Sequence, residues 1–188
     1  MANIDKEKLR VLPIIDFSEI YLRPVKYEDY KDMFEYGSDP LVTKSLTWKY
    51  NKLEDAEISV KRVFISRPDR GLPSAYAIVH KADNKMIGTC DFHSVDWEEN
   101  QGEIGYVINR KYWGKGYMTL ACKALIRFGF DYLELDKVVI SHRTNNIGSQ
   151  RVIEKSGFIF ISEKIHPKYN KVNRFYEITK KDYLNIKN

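Results

Sequence analysis

The stretch GEIGYVINRKYWGKGYMTLACKAL, residues 102–125, decides how this chain is read. Its first eight residues, GEIGYVIN, have the alternation of a strand, and Arg110–Gly116 form a polar loop with two glycines. From Tyr117 to Leu133 the apolar residues Met118, Ala121, Leu125, Phe128 and Tyr132 recur at helical spacing and predict a long helix packed on a core. A strand, a glycine loop and a helix start, in that order, can bind an anion. Glycines let the backbone take open turns and let another group come close. The first helical turn offers unpaired N–H groups at the positive end of its dipole. Arg110, Lys111 and Lys115 add positive charge beside them. A lone Gly-x-Gly is more often an ordinary strand-to-helix turn. The spacing also excludes two common phosphate loops. There is no Gly-x-Gly-x-x-Gly, and no Lys-Ser or Lys-Thr follows the last glycine.

Working outward, the segments before this stretch read as Ser18–Arg23, a strand ended by Pro24, and a helix from Tyr27 to Tyr36 stopped by Gly37. A second helix runs from about Leu53 to Ile65, and Pro68, Gly71 and Pro73 make a loop. Ala75–His80 and Lys85–His93 read as a hairpin turned at Ala82–Asn84, and Asp96–Asn100 is a polar turn before the strand at 102–109. After the long helix, Lys137–Ser141 (KVVIS) has the pattern of a strand buried on both faces. Asn146–Ser156 is a helix closed by Gly157, and Phe158–Ile161 and Phe175–Ile178 are the last strands. The sum is a mixed α/β (α+β) arrangement. Residues 1–17 are a lead-in, loose through residue 12, and 18–185 form a single domain.

At 188 residues the chain is long enough to bury a core without disulfides or metal. With 43% hydrophobic and 30% charged residues it reads as globular, not disordered. The net charge of +5 comes from 31 basic residues interleaved with 26 acidic ones, so no nucleic-acid partner is expected. Cys90 and Cys122 lie outside any zinc or disulfide spacing, and His80, His93, His142 and His166 show no metal spacing, so no metal is expected. His93 could line an acceptor site, although a histidine at a strand end usually has no such role. No stretch approaches the ~20 apolar residues of a membrane span, and the first residues lack a signal peptide, so a cytoplasmic protein without a membrane partner is expected.

Residues 102–130 resemble the coenzyme A-binding motif of the GNAT superfamily of N-acetyltransferases, in particular its RimJ/RimL-like branch. The branch's Glu-Ile-Gly-Tyr and Gly-Lys-Gly-Tyr stand here at 103–106 and 114–117. In the general signature, Gln/Arg-x-x-Gly-x-Gly/Ala, Gly116 matches while Trp113 and Met118 depart. A second motif, NNIGSQRVIEKSGF at 145–158, is similar to the family's Asn-x-x-Ser helix start. The segments 21–40 and 175–183 extend the resemblance over roughly 18–185. The resemblance implies the GNAT fold, a mixed, mostly antiparallel central sheet flanked by helices, whose splayed fourth and fifth strands hold acetyl-CoA. It implies acetyl transfer from acetyl-CoA to a primary amine, with a protein or peptide N-terminal amine favoured. A polyamine, aminoglycoside or amino acid is the alternative acceptor, and a catalytically inactive acyl-CoA-binding regulator is the alternative role. Dimers are common among similar proteins, which makes a homodimer a further candidate partner.

Particular roles follow from the same resemblance. Trp113, Gly114, Lys115, Gly116, Tyr117 and Met118 would hold the pyrophosphate, mainly through backbone N–H groups. Those of Val107 and Ile108 would polarise the thioester carbonyl. Asn146 would contact the pantetheine arm, although it also reads as a plain helix N-cap. Glu103 shares a strand face with Gly105 and Val107 and is either the general base or a carboxylate that binds the amine. Many family members carry a tyrosine acid where this chain has Ile153, so Ser149 is the candidate that protonates the departing thiolate, or else a residue bonding its own helix turn. Alternation turns Tyr106 away from Glu103. Asp96, Glu98, Glu99 and Glu103 form an acidic patch that would draw in a cationic amine or simply face solvent. The acceptor loops are expected around Lys44–Tyr50 and Ile165–Asn173.

Overall fold

The computed structural model of the chain describes residues 6–167 and 170–187. Its strands are β1 (Ile15–Asp16), β2 (Ile20–Pro24), β3 (Tyr76–His80), β4 (Lys85–Asp96), β5 (Gln101–Ile108), β6 (Lys137–Arg143), β7 (Ile159–Ile165) and β8 (Val172–Thr179). They form one sheet in the order β1-β2-β3-β4-β5-β6-β8-β7. The neighbouring pairs from β1 to β5 are antiparallel, joined by short turns except between β2 and β3, where the helical segment of residues 30–59 intervenes, and the β6–β8 and β7–β8 pairs are antiparallel too. The β5–β6 pair is parallel, because a whole helix must cross over between them. That helix is α5 (Tyr117–Asp131).

The helices lie in two layers. Those before α5 are α1 (Lys6–Arg10), α2 (Tyr30–Gly37), α3 (Pro40–Thr43) and α4 (Leu53–Ser59), which continues as a π-helical stretch, Val60–Ile65. Those after it are α6 (Ile147–Lys155) and α7 (Lys180–Lys187). Period-two alternation divides β3, β4 and β5 between two cores. Ile20, Ile78, Phe92, Ile104, Val138 and Ile178 pack with Leu125 and Phe128 of α5, Ile153 of α6 and Tyr183 of α7. Ala77, Val79, Met86 and Val107 pack on the opposite face with Met33, Tyr36, Ala56 and Val60.

The structure corrects several expectations. From Lys6 onward the lead-in is not loose: Leu9 is 1% and Leu12 7% exposed, the Leu9 carbonyl accepts from Ser74 N (2.9 Å), and β1 extends the sheet. Five-residue and two-residue elements are too short to show a period. The same reason hid α3, which Asp39 caps by accepting from Leu41 N at 2.8 Å. The C-terminal helix α7 was not anticipated. β6 is buried on one face only, through Val138, Ile140 and His142, while Lys137, Val139, Ser141 and Arg143 are half-exposed. The second core draws its buried strand residues from β3, β4 and β5 and none from β6.

One topological feature positions the site. β5 and β6 pair only at Gln101↔Lys137, Gly102↔Val138 and Glu103↔Val139, although β5 continues to Ile108 and β6 to Arg143. From residue 104 onward the two strands diverge, and the β5 edge toward β6 no longer pairs with that strand. With the two-residue β1 set aside, these are the fourth and fifth strands.

Candidate active site

Between β5 and α5 the chain makes a short 3-10 turn, Arg110–Tyr112, capped by the Asn109 side chain, which accepts from Lys111 N at 3.1 Å. Gly114 and Gly116 then take left-handed conformations (φ 77° and 82°), where a Cβ would be strained, and no atom would lie within 4 Å of one at either position. The bend is therefore open to solvent. Gly116 is the N-cap of α5, and the first-turn amides after it have no intrahelical acceptor. Tyr117 and Met118 are 3% and 4% exposed, so their side chains belong to the core and only their backbone N–H groups face the bend.

The positive charges near this loop are largely engaged elsewhere. Arg110 Nε donates to Asp39 (2.8 Å) and Lys111 Nζ to Glu35 (2.9 Å). Lys115 lies over the Tyr112 ring, 5.7 Å from its centroid. Trp113 is 46% exposed, yet its indole N–H donates to the Ile108 carbonyl (3.0 Å), folding the loop back on the end of β5. Tyr112 bonds Asp83, which also pairs with His80 Nδ1 (2.9 Å), and His80 Nε2 meets the Tyr117 hydroxyl (3.4 Å). This polar and aromatic cluster ties the loop to the β3–β4 turn.

Two groups of titratable side chains flank the divergence, one on each face of β5. On the face of Val107, Glu103 Oε2 lies 3.3 Å from His93 Nε2 and accepts from Ser94 Oγ at 3.4 Å. Burial raises the Glu103 pKa, but the hydrogen bond and charge of His93, then His166 and Ser94, outweigh it and leave it below the usual carboxylate value. Burial also disfavours the charged His93 ring. Glu103 and, behind it, Asp91 overcome this and raise the imidazole above its ordinary value, with Arg67 opposing. Glu103 is thus a held anion.

On the other face, the Tyr106 hydroxyl lies 2.9 Å from Ser149 Oγ and donates to the Ser149 carbonyl (3.2 Å). Burial, reinforced by Cys122, pushes the Tyr106 phenol well above its ordinary value, so it stays protonated at neutral pH. Ser149 N donates to Asn146 Oδ1 (3.1 Å), so Asn146 does serve as the N-cap of α6. Ile153 is fully buried and offers no proton. Among the described residues no contact joins Glu103 to Ser149, and the strand itself separates them.

The sequence offers His93 only as a residue that could line an acceptor site, and Tyr106 as a poorer acid than Ser149 because it faces away from Glu103, which it does. A bulge at Phe92/Ser94 makes His93 an extra residue in β4, and the alternation of a sequence cannot show that. The acidic patch is smaller than expected, because Asp96 accepts from Glu98 N and Glu99 N (3.0 and 3.1 Å) and serves as a turn-former. In the first acceptor loop, Tyr50 is buried and donates to Ser59 Oγ (2.7 Å). In the second, Ile165 ends β7 and Val172 starts β8, and Lys168 and Tyr169 lie outside the described residues. Cys90 is fully buried, with burial holding its thiol well above the ordinary value. Among the described residues no group of His, Cys, Asp and Glu is arranged for a metal, and no helix is long and apolar enough to cross a membrane.

The family model described as an acetyltransferase (GNAT) domain matches residues 19–159. The chain is 31% identical over 141 residues to the uncharacterized N-acetyltransferase p20 of Bacillus licheniformis, an alignment spanning 73% of this chain and 77% of that protein. Its structure superposes on an acetyltransferase of the GNAT family from Bacillus anthracis with a TM-score of 0.77 and 26% identity, covering 90% and 99% of the two chains. It shares its fold with RimL, a ribosomal L7/L12 alpha-N-protein acetyltransferase solved with coenzyme A, at a TM-score of 0.77 and 21% identity over 89% and 98% of the chains.

Proposed function

The chain belongs to the GNAT family of acetyltransferases and is an acetyl-CoA-dependent enzyme of that kind; from this premise we propose that it acetylates the N-terminal α-amine of a protein or peptide. The observation that carries the reading is the divergence of β5 from β6 after Glu103, next to an open bend of left-handed glycines at the head of α5. These residues fit acetyl-CoA. The bend offers backbone N–H groups to a pyrophosphate, and a slender pantetheine arm fits the gap where strand pairing stops.

Acetyl-CoA supplies an activated thioester. Around it the chain's own groups have separable tasks. At this end of β5, where Val107 and Ile108 lie, a backbone N–H on the edge open toward β6, such as that of Ile108, would stabilise charge building on the carbonyl oxygen. Gly114, Lys115 and Gly116, with the first-turn amides of Tyr117 and Met118, hold the phosphates, while Trp113 fixes the loop through its bond to the Ile108 carbonyl. Asn146 orients the start of α6 and with it Ser149, whose hydroxyl, paired with that of Tyr106, is positioned to give a proton to the departing sulfur. Glu103 sits on the opposite face as a fixed anion that attracts and orients an ammonium group.

A protein or peptide acceptor is supported by the fold shared with a ribosomal α-N-protein acetyltransferase and by the sequence resemblance to the RimJ/RimL-like branch. The test is transfer of radiolabel from acetyl-CoA to a mixed panel of ribosomal proteins, short peptides with free N-termini, polyamines, aminoglycosides and amino acids. Label on N-terminal residues is the expected result. Label confined to the small amines would reject the N-terminal acceptor and make this a small-molecule acetyltransferase.

A further inference from the structure

We infer that His93 is the group that takes the proton from the incoming amine, with Glu103 acting as the carboxylate that orients its ring. The inference rests on the acetyl-transfer reading above and assigns a residue to it. It begins with the bulge. Phe92 pairs with Ile104 and Ser94 with Glu103, so His93 is inserted between two rungs of the ladder, and its side chain emerges opposite the buried Phe92. A bulge re-aims a side chain. Here it leans the imidazole across β5, where a Cβ on Gly105 would come within 2.9 Å of Nδ1. Gly105 is thus the residue that makes room for the ring.

The bulge is held from behind. Arg67, 3% exposed, bonds the Phe92 carbonyl, donates from Nε to the Pro73 carbonyl (2.8 Å) and pairs with Asp91 (3.1 Å). The peptide preceding His93 is therefore anchored to a buried guanidinium. The ring itself remains 45% exposed, and Glu103 28%.

The two ring nitrogens differ. Nε2 faces Glu103 Oε2 at 3.3 Å, so its hydrogen points to the carboxylate and the lone pair falls on Nδ1, over Gly105. A carboxylate on one ring nitrogen of an imidazole that stays part-exposed repeats the division of labour in other acid–base sites, where the carboxylate fixes the tautomer and the ring moves the proton. Glu103, Asp91, Arg67 and His166 are the charged or titratable groups that act on this pair. Proton affinity points the same way. An α-amine has a pKa of about 7.7–8.0, so a carboxylate held below 4.5 is mismatched by more than ~10³-fold, while an imidazole raised above 6.5 is mismatched by less than ~10²-fold.

In the step, Nδ1 of His93 accepts a proton from the ammonium group and the freed nitrogen forms the C–N bond. The resulting tetrahedral adduct still carries a second proton on nitrogen, which passes to solvent as the C–S bond breaks; the electron pair leaves on sulfur, and a proton from the Ser149 side or from solvent restores the thiol. His93 then passes its proton to water.

Two measurements test the assignment. The first needs no acceptor. The His93 imidazole resonances, identified by their loss in His93→Gln, should titrate above the ordinary histidine value and fall back toward it in Glu103→Gln; a titration indifferent to Glu103 overturns the pair. The second uses the acceptor labelled most strongly in the amine panel. His93→Ala should lower kcat/KM for that amine ~10²- to 10⁴-fold with acetyl-CoA affinity unchanged. It should move the acid limb of log kcat/KM from the ionisation of His93 to that of the free amine, and added imidazole should restore activity. Full activity in His93→Ala, or a loss with the acid limb unmoved and no rescue, overturns the role. A wild-type protein that labels no amine instead removes the acetyl-transfer reading on which the role depends, while leaving the titration result standing by itself.

Discussion

Glu35 gathers Lys85, Lys111 and the Asn109 amide around one carboxylate, and these bonds lower its pKa to about 2. Because the folded value lies below the unfolded one near 4.5, its contribution to stability is complete above that pH and disappears as pH falls toward 2. The side chain is 34% exposed, so after solvent screening we expect on the order of 1 kcal/mol. Glu35→Gln should therefore be less stable than wild type in denaturant at pH 7, with the gap closing by pH 2–3; a gap that stays constant with pH would refute the linkage. At Ser149 the expectation is kinetic. If its hydroxyl supplies the leaving-group proton, Ser149→Ala lowers kcat about 10²-fold while the KM for acetyl-CoA holds. An unchanged kcat leaves Ser149 as part of its helix turn alone. Both residues were visible in the sequence, but their partners were not. Glu35 and Lys111 are brought together by the sheet across 76 positions, and Tyr106 reaches Ser149 across 43. No local pattern records such distances.

At the scale of elements, β5, the glycine bend and α5 form one functional unit, and its order was fully legible because each part has a local signature: alternation, glycine and helical period. What became of the unit in the fold was less visible. The divergence from β6 depends on where a parallel partner stops pairing, and the bulge that presents His93 depends on the register with β4. The charge on Arg110 and Lys111 was overestimated for the same reason, since Asp39 and Glu35 come from a distant helical segment. Gly116→Glu tests the unit. The position is open, so the new side chain has room, but it brings negative charge to the bend and a strained φ. Affinity for acetyl-CoA, followed by calorimetry, should fall at least 10-fold with the fold retained by circular dichroism. Unchanged affinity would place the pyrophosphate elsewhere.

At the scale of the whole molecule, the sheet carries a helical layer on each face, and the N-terminal segment helps to close one of them. Leu9 lies in the same core as Phe92 and Leu125, so Leu9→Ala should cost about 2–5 kcal/mol in denaturant unfolding, where a loose lead-in would cost nothing. The same architecture places Glu103 and His93 on one face of β5 and Tyr106 and Ser149 on the other, with the open strand edge between them. On the proposed reading, such a site removes a proton on one side of a thioester and returns one on the other. The measurement that reaches this claim most directly is the stoichiometry of acetyl-CoA turnover with and without an amine present. Free coenzyme A should appear only when an amine is supplied, one for each amine acetylated. Tight binding of acetyl-CoA with no amine-dependent release would contradict it and leave the chain an acyl-CoA-binding regulator.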